Sequence, residues 1–104
     1  MSIKSILREE LENSLRMKEK YERELSKLPK GSLVKRIIKG HEYYYLVYRE
    51  EGKVKSDYRG KVSKSEIQKY KQAKEYRAKY RKLLSQVKKQ IRFLRSTLRG
   101  KETV

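Results

Sequence analysis

The middle and the end of the chain combine basic and aromatic side chains, a pairing typical of nucleic-acid binding. Lys and Arg contact phosphates and release counterions, and Tyr stacks on bases or packs against sugars. The predicted nucleic-acid-binding residues are Lys35, Arg36, Lys39, Arg49, Lys53, Lys55, Arg59, Lys71, Lys74, Arg77, Arg81, Lys88, Arg92 and Arg95. Among them, those expected to reach the groove or the bases are Arg36, Arg49, Lys53 and Lys55.

A plainer interpretation is that the charges serve solubility and the tyrosines serve the core. The formal net charge of +17 is more than solubility requires, which favours an anionic partner. For the nine tyrosines, packing of those in the middle segment against the helices is the favoured alternative to base stacking.

No residue pattern indicates catalysis, so no enzyme is predicted. The sequence lacks P-loop, dinucleotide-binding, serine-hydrolase and zinc-protease motifs. His41 is interpreted as an exposed turn residue and Glu50-Glu51 as a solvated hairpin tip. A tyrosine nucleophile would need basic residues caged around a phosphate, and a chain this short has little room for them. With no Cys, disulfides, iron–sulfur clusters and thiolate zinc sites are excluded, and no cofactor or metal is predicted.

The length of 104 residues fits a single domain over 1–104. Charged residues make up 41% and apolar ones 36%, so we do not expect a large core. The longest uncharged stretch, Tyr43 to Tyr48, is too short to span a bilayer, and residues 1–5 contain no apolar run of signal-peptide length. We therefore expect a cytoplasmic location, in a nucleoid or a host cytoplasm. Binding to a membrane surface is disfavoured because the apolar stripe of residues 64–99 is narrow and lacks Trp, so no membrane partner is expected. Abundant Lys, Arg, Glu and Tyr with a single Asn is also typical of thermophile proteins.

The positive charge is concentrated near the end of the chain. Residues 63–104 carry 14 basic and 3 acidic side chains, a net charge of +11. A segment this basic repels itself unless an anion lies nearby. Nucleic-acid phosphates, an acidic protein surface and an anionic membrane face are the candidate anions.

Helical spacing of apolar residues predicts a first helix over 3–28. Ser2 is its expected N-cap, and Pro29 ends it because proline disfavours a helix at the preceding residue. The expected apolar stripe consists of Ile3, Leu7, Leu11, Leu15, Tyr21, Leu25 and Leu28.

Residues 33–58 change to a strand-like pattern rich in β-branched and aromatic residues. Strands are predicted over 33–39, 42–49 and 53–58, joined by turns at Gly40-His41 and Glu50-Glu51-Gly52. The short connections indicate an antiparallel meander. In the middle strand, alternation places Tyr44, Leu46 and Tyr48 on one face and Tyr43, Tyr45 and Val47 on the other. With both faces apolar, we expect the strand to be covered twice or to offer one face for binding.

A second, longer helix is predicted over 64–99, followed by a tail at 100–104. Ser63 to Glu66 matches a capping box, and Gly100 has the place of a C′ glycine. Alternating steps of three and four residues indicate a coiled-coil seam with one polar break at Arg77. The seam consists of Tyr70, Ala73, Arg77, Tyr80, Leu84, Val87, Ile91, Leu94 and Leu98.

We expect the two helices to pair as a long antiparallel, coiled-coil-like hairpin with the meander between them, an α+β fold that is mostly helical. Lys74, Arg81, Lys88 and Arg95 flank the seam and could face the carboxylates of Glu10, Glu22 and Glu24. By length the second helix outruns the first by about 15 Å, leaving residues 92–99 unpaired. The predicted seam for a partner or a homodimer is Leu84, Val87, Ile91, Leu94 and Leu98.

Three segments carry a resemblance: Leu28 to Leu33, Tyr43 to Leu46, and Gly52 to Tyr58. Together they resemble a family of small uncharacterised bacterial and archaeal proteins often carried on mobile elements, over about residues 25–98. Many members have Cys between the first two strands, where this chain has Gly40-His41, so no metal role carries over. Separately, Tyr43 to Lys61 is similar to the arm-binding sheet of tyrosine recombinases, which implies a sheet laid in the DNA major groove.

The sequence thus predicts a non-enzymatic protein that binds duplex DNA or structured RNA, in a viral or mobile-element setting. The alternative is a protein-interaction module or inhibitor. It would bind an acidic or nucleic-acid-binding surface of a partner through its coiled coil and basic patch.

Overall fold

In a computed structural model, which describes residues 2–102, two long helices flank a three-stranded antiparallel sheet. The elements are α1 (Ile3–Lys27), β1 (Ser32–Ile38), β2 (His41–Glu50), β3 (Lys53–Gly60) and α2 (Lys64–Glu102). The predicted α+β fold, mostly helical with a meander between the helices, is confirmed. The chain divides into two compact units. The sheet unit is Leu28–Arg77, and the helical unit contains residues 2–27 and 78–102 of the described chain.

Both helices begin at the predicted serine caps. Ser2 Oγ accepts a hydrogen bond from the backbone N of Ser5 at 3.2 Å, and Ser63 Oγ accepts one from that of Glu66 at 3.2 Å. Each bond satisfies one of the amide groups that a first helical turn leaves without a partner. The predicted helix end at Gly100 is wrong, since α2 continues to Glu102. A helix tolerates an internal glycine at a cost of about 1 kcal/mol. Thr103 and Val104 of the predicted tail lie outside the described residues.

In the helical unit, α1 runs antiparallel to the second part of α2. Leu11 shares a groove with Leu98, and Lys18 shares one with Lys88. Farther along α1, the ring centroids of Tyr21 and Tyr80 are 6.0 Å apart. In these three contacts the residue number increases along α1 while it decreases along α2, so the two helices are antiparallel. The core of this unit is formed by Val87, Ile91, Leu94 and Leu98, with Ser14 buried on α1.

The predicted seam on α2 is confirmed as a buried stripe, but the expected overhang is wrong. Leu94 and Leu98 are only 5% and 7% exposed, so they are not an open seam for a second copy or a partner. The predicted overhang assumed that α1 packs against the first turns of α2. Residues 64–77 instead belong to the sheet unit, and α1 packs against the later turns of α2. Phe93, 67% exposed, lies off the seam as its spacing requires.

Six of the seven residues of the predicted first-helix stripe are half-buried, and the most buried residue of α1 is a serine outside that stripe. Ser14 is 2% exposed, whereas Ile3 at the helix start is 62% exposed. Leu11, Ser14, Lys18 and Tyr21 continue a three-and-four spacing in which two members are polar, so a search for apolar residues passes over them. A small residue such as serine permits close approach of the facing helix.

The sheet is a meander with strand order β1-β2-β3. The first turn is Lys39-Gly40 and the second is Glu51-Gly52, and all four residues have positive φ. Such two-residue turns match the twist of a hairpin. His41 was expected in the first turn, but it begins β2 and pairs with Ile38. A register shift occurs between Tyr44 and Tyr45, where Arg59 is the extra residue on β3.

The start of α2 lies over one face of the sheet. Leu33 and Tyr44 line a cleft together with Ile67 and Tyr70 of α2, and Leu46 on the same face is buried. We call this the covered face. The other side of the strands, the open face, displays Ser32, Val34, Arg36, Ile38, His41, Tyr43, Tyr45, Val47, Arg49, Val54, Ser56 and Tyr58. Of the two apolar faces predicted for the middle strand, one is covered by α2.

Candidate nucleic-acid interface

The carboxylates of the strands lie on one face of the sheet, whereas basic residues lie on both. By register, Glu42, Glu50 and Asp57 belong to the covered face. On that face Lys35 Nζ lies 3.5 Å from a Glu42 carboxylate oxygen, and Lys55 Nζ lies 3.2 Å from one of Glu50. The strand positions of the open face carry Arg36, Arg49 and His41 and include no carboxylate. The open face therefore combines positive charge with apolar surface.

Three tyrosines form a cluster on the open face. The ring centroids of Tyr43 and Tyr58 are 6.2 Å apart, and those of Tyr45 and Tyr58 are 5.3 Å apart with the rings edge to face. His41 extends the row, with its ring centroid 6.4 Å from that of Tyr43. Tyr58 remains 60% exposed, so its ring offers a surface on which a base or a sugar could pack.

A shallow groove of about 310 Å³ runs along β1 and β2 on the open face. Its apolar floor includes Val34 and Val47, Tyr45 forms a wall, and Arg36 contributes a guanidinium. A guanidinium offers two parallel N–H donors to a phosphate. The groove can therefore accept the flat apolar part of a nucleotide while Arg36 binds its phosphate.

The four residues expected to reach the groove or the bases lie on two different faces of the sheet. Arg36 and Arg49 lie on the open face, whereas Lys53 and Lys55 follow the alternation of the covered face. Of the other predicted residues in the strands and turns, Lys35 is paired with Glu42, Lys39 is exposed in the first turn and Arg59 lies at the register shift.

The predicted basic residues of α2 fall into both units. In the sheet unit, Lys71 and Lys74 line the cleft on the covered face. Arg77 is half-buried, and its Nη2 donates a hydrogen bond to the Pro29 carbonyl at 2.7 Å, which gives this residue a structural role. The four predicted residues that belong to the helical unit are all exposed: Arg81, Lys88, Arg92 and Arg95.

Sequence reasoning passed over two groups of residues. The tyrosines of the open face were favoured as core residues, although strand alternation already placed Tyr43 and Tyr45 on one face. Lys18 is not among the predicted binding residues, yet it lines a groove with Lys88, Arg92 and Arg95. Only the pairing of the helices reveals that position.

The hydroxyl of Tyr48 has a raised pKa. Partial burial raises its pKa above the ordinary value of 10.0, and the Asp57 carboxylate, which accepts a hydrogen bond from its hydroxyl, raises it further. Both residues lie on the covered face, so the shift belongs to packing. Among the side chains of residues 2–100, which the structure describes, no three His, Asp or Glu side chains come together as a metal site.

The described helices include none that is both long enough and apolar enough to cross a membrane.

No curated protein and no solved structure matches the chain. A family model described as "Domain of unknown function (DUF6788)" matches residues 7–69. That range covers most of α1, the whole sheet and the first turns of α2, which is more than half of the 104 residues. The chain therefore belongs to the DUF6788 family.

Proposed function

We propose that this is a non-enzymatic nucleic-acid-binding protein whose open sheet face contacts duplex DNA or structured RNA. The absence of carboxylates from the strand positions of the open face supports this proposal most directly. Solubility alone would place both acidic and basic side chains on both faces. The open face instead has two arginines, a histidine and three tyrosines, and none of its strand positions carries a carboxylate. Sugar–phosphate surfaces are recognised by this combination of positive charge and flat aromatic rings.

The dimensions of the sheet agree with a grooved partner. Neighbouring strands lie about 4.8 Å apart, so the two outer strands of the meander are about 10 Å apart. The major groove of B-DNA is about 12 Å wide and accepts a helix or a β-ribbon. Arg36 lies opposite Tyr43 on the outer strand β1, where it can reach a phosphate at the edge of such a groove, and Arg49 lies two residues beyond Val47 on the middle strand.

The alternative function, a protein-interaction module, loses the observation that suggested it. Its expected docking surface was an unpaired end of the seam, and Leu94 and Leu98 are buried within the chain. A viral or mobile-element setting remains part of the proposal through the sequence resemblance alone.

The proposal is tested by binding of fluorescent duplex DNA and of an RNA hairpin at about 50 mM salt, followed by salt titration. The informative variant is Arg36→Ala/Arg49→Ala on the open face. Its matched control, Lys35→Ala/Lys55→Ala, removes the same charge from the covered face. We expect the open-face variant to lose about tenfold or more in affinity and the control to lose much less.

Two results would contradict the proposal. One is the absence of binding by the unaltered protein at low salt to either nucleic acid. The other is equal loss in the two double variants, which would show that only total charge matters and that the open face has no special role.

A further inference from the structure

Four basic residues form one continuous line on α2 within the helical unit. Lys88, Arg92, Arg95 and Arg99 are spaced by four, three and four residues, so they share one side of the helix. All four are exposed. At about 1.5 Å per residue the line is about 16 Å long. We call these four residues the basic stripe.

The basic stripe borders two grooves between α1 and α2. One groove is lined by Arg92, Arg95 and Arg99 with Leu11 of α1, and has a volume of about 710 Å³. The second is lined by Lys88, Arg92 and Arg95 with Lys18 of α1. No carboxylate is among the residues that line either groove in the described chain. The stripe therefore lies beside concave surface where an extended ligand could rest.

The stripe residues have no ion pair among the side chains that the structure describes, those of residues 2–100. The ion pairs of α1 near this region, such as Lys18–Glu22 at 3.8 Å, are formed within that helix. The expected pairing of Lys88 and Arg95 with the α1 carboxylates is thus not observed. Like charges three and four residues apart repel each other, which an external polyanion would relieve.

We propose that the basic stripe is a second, separate nucleic-acid contact that binds the phosphodiester backbone of one strand. This inference rests on the proposed function, since the ligand is the same nucleic acid. Phosphates of one duplex strand recur about every 3.4 Å along the axis, so the stripe runs beside about five of them. Three of its four members are arginines, whose planar donors match phosphate oxygens. The contact is independent of base sequence because it reaches only the backbone.

The same helix supplies a matched control outside the stripe. Lys82 and Lys89 are exposed and, by helical geometry, lie about 100° around α2 from the centre of the stripe, on the side opposite the buried seam. The variant Arg92→Ala/Arg95→Ala and the control Lys82→Ala/Lys89→Ala each remove two positive charges from exposed positions of α2. A third variant, Arg92→Lys/Arg95→Lys, keeps the charge and removes the planar guanidinium groups.

The experiment measures the slope of log affinity against log salt for a duplex of about 25 base pairs, with folding of each variant checked by circular dichroism. We expect Arg92→Ala/Arg95→Ala to make the slope shallower by about 2 and the lysine variant to retain the slope with weaker binding. The Lys82/Lys89 control should keep both slope and affinity close to those of the unaltered protein. A slope that changes equally in the alanine variant and in the control overturns the stripe as a defined site.

The design separates this proposal from the proposed function. If the unaltered protein binds and Arg36→Ala/Arg49→Ala is impaired while Arg92→Ala/Arg95→Ala is not, the sheet contact stands and the stripe is wrong. If the unaltered protein binds no nucleic acid, both are wrong. Polyglutamate of equal charge is the second probe. Stripe-dependent binding of polyglutamate as tight as that of the duplex would assign the stripe to acidic proteins and overturn the phosphate assignment.

Discussion

Lys35 and Arg36 are adjacent in β1, yet they lie on opposite faces of the sheet and have different surroundings. Lys35 Nζ lies 3.5 Å from a Glu42 carboxylate oxygen, whereas Arg36 lines the open groove beside Val34 and Tyr45. Both residues count equally in the net charge. Only Lys35 has a carboxylate partner, so charge density along the sequence does not distinguish the two faces of the sheet.

This contrast predicts opposite outcomes for two single substitutions. Arg36→Glu should weaken nucleic-acid binding by about tenfold or more, because it places a carboxylate on the face that lacks one. Lys35→Glu makes the same change in net charge but places the new carboxylate near Glu42. It should weaken binding less and lower the melting temperature slightly. Fluorescence anisotropy and thermal denaturation measure both effects, and the reverse order of affinities would contradict the interface.

The ring of Tyr58 should contribute to binding through its flat surface. Tyr58→Ala removes a side chain that is 60% exposed and lies 5.3 Å from the Tyr45 ring by centroids. We expect binding to weaken by about 1–3 kcal/mol, the range for loss of one stacked aromatic residue. Tyr58→Phe keeps the ring and should bind nearly as well as the unaltered protein. If both variants bind normally, Tyr58 has no contact with the ligand.

Burial at the end of the α2 seam predicts a large effect on stability. Leu94→Ala should lower the free energy of unfolding by about 2–5 kcal/mol because it leaves a cavity. The neighbouring Phe93, exposed on the opposite side, provides the control, and Phe93→Ala should change stability by about 0.5 kcal/mol or less. Urea denaturation compares the two. A small effect of Leu94→Ala would restore the open seam that the sequence suggested.

Among the glycines of the sheet unit, Gly31 should tolerate substitution least. Its φ is +91°, and an added Cβ would lie 2.7 Å from the Val47 carbonyl oxygen. Gly40 also has a positive φ of 78° but has no atom within 4 Å of an added Cβ. Gly40→Ala should therefore cost about 1–2 kcal/mol for the backbone conformation alone. Gly31→Ala should cost distinctly more, and equal losses of stability would show that the close approach is unimportant.

The raised pKa of Tyr48 predicts a loss of stability in alkali. Because its folded pKa exceeds the ordinary value of 10.0, the folded state holds the proton more tightly than the unfolded state. The contribution is complete below the unfolded pKa and is lost as the pH rises through the folded one. Denaturation midpoints from about pH 8 to about pH 11 should fall less steeply in Tyr48→Phe than in the unaltered protein. Equal pH dependence would contradict the shift.

Much of the fold could be predicted from local patterns in the sequence. Ser2 and Ser63 cap their helices as predicted, the meander has the expected order, and the spacing from Tyr70 to Leu98 identified the buried stripe of α2. Each of these features depends on neighbouring residues or on one period. Such features can be recognised without knowledge of long-range contacts.

Features that depend on long-range pairing could not be obtained this way. The spacing that buries Ser14 and places Lys18 beside α2 includes polar residues, so only the facing helix identifies it. Equally, alternation sorts Lys35 from Arg36, but nothing in the sequence states which face α2 covers. The same limit explains the wrong overhang, because helix lengths do not specify which turns of α2 face α1.

The hydrogen bond from Arg77 to the Pro29 carbonyl joins the last residue of the sheet unit to a residue at its start. The chain thus enters and leaves this unit at nearly the same point, within the reach of one arginine side chain. Segments with adjacent ends tolerate insertion into surface loops of unrelated proteins. Residues 28–77 consequently have the geometry of a transferable cassette, whose tyrosine-lined face could be carried by another scaffold.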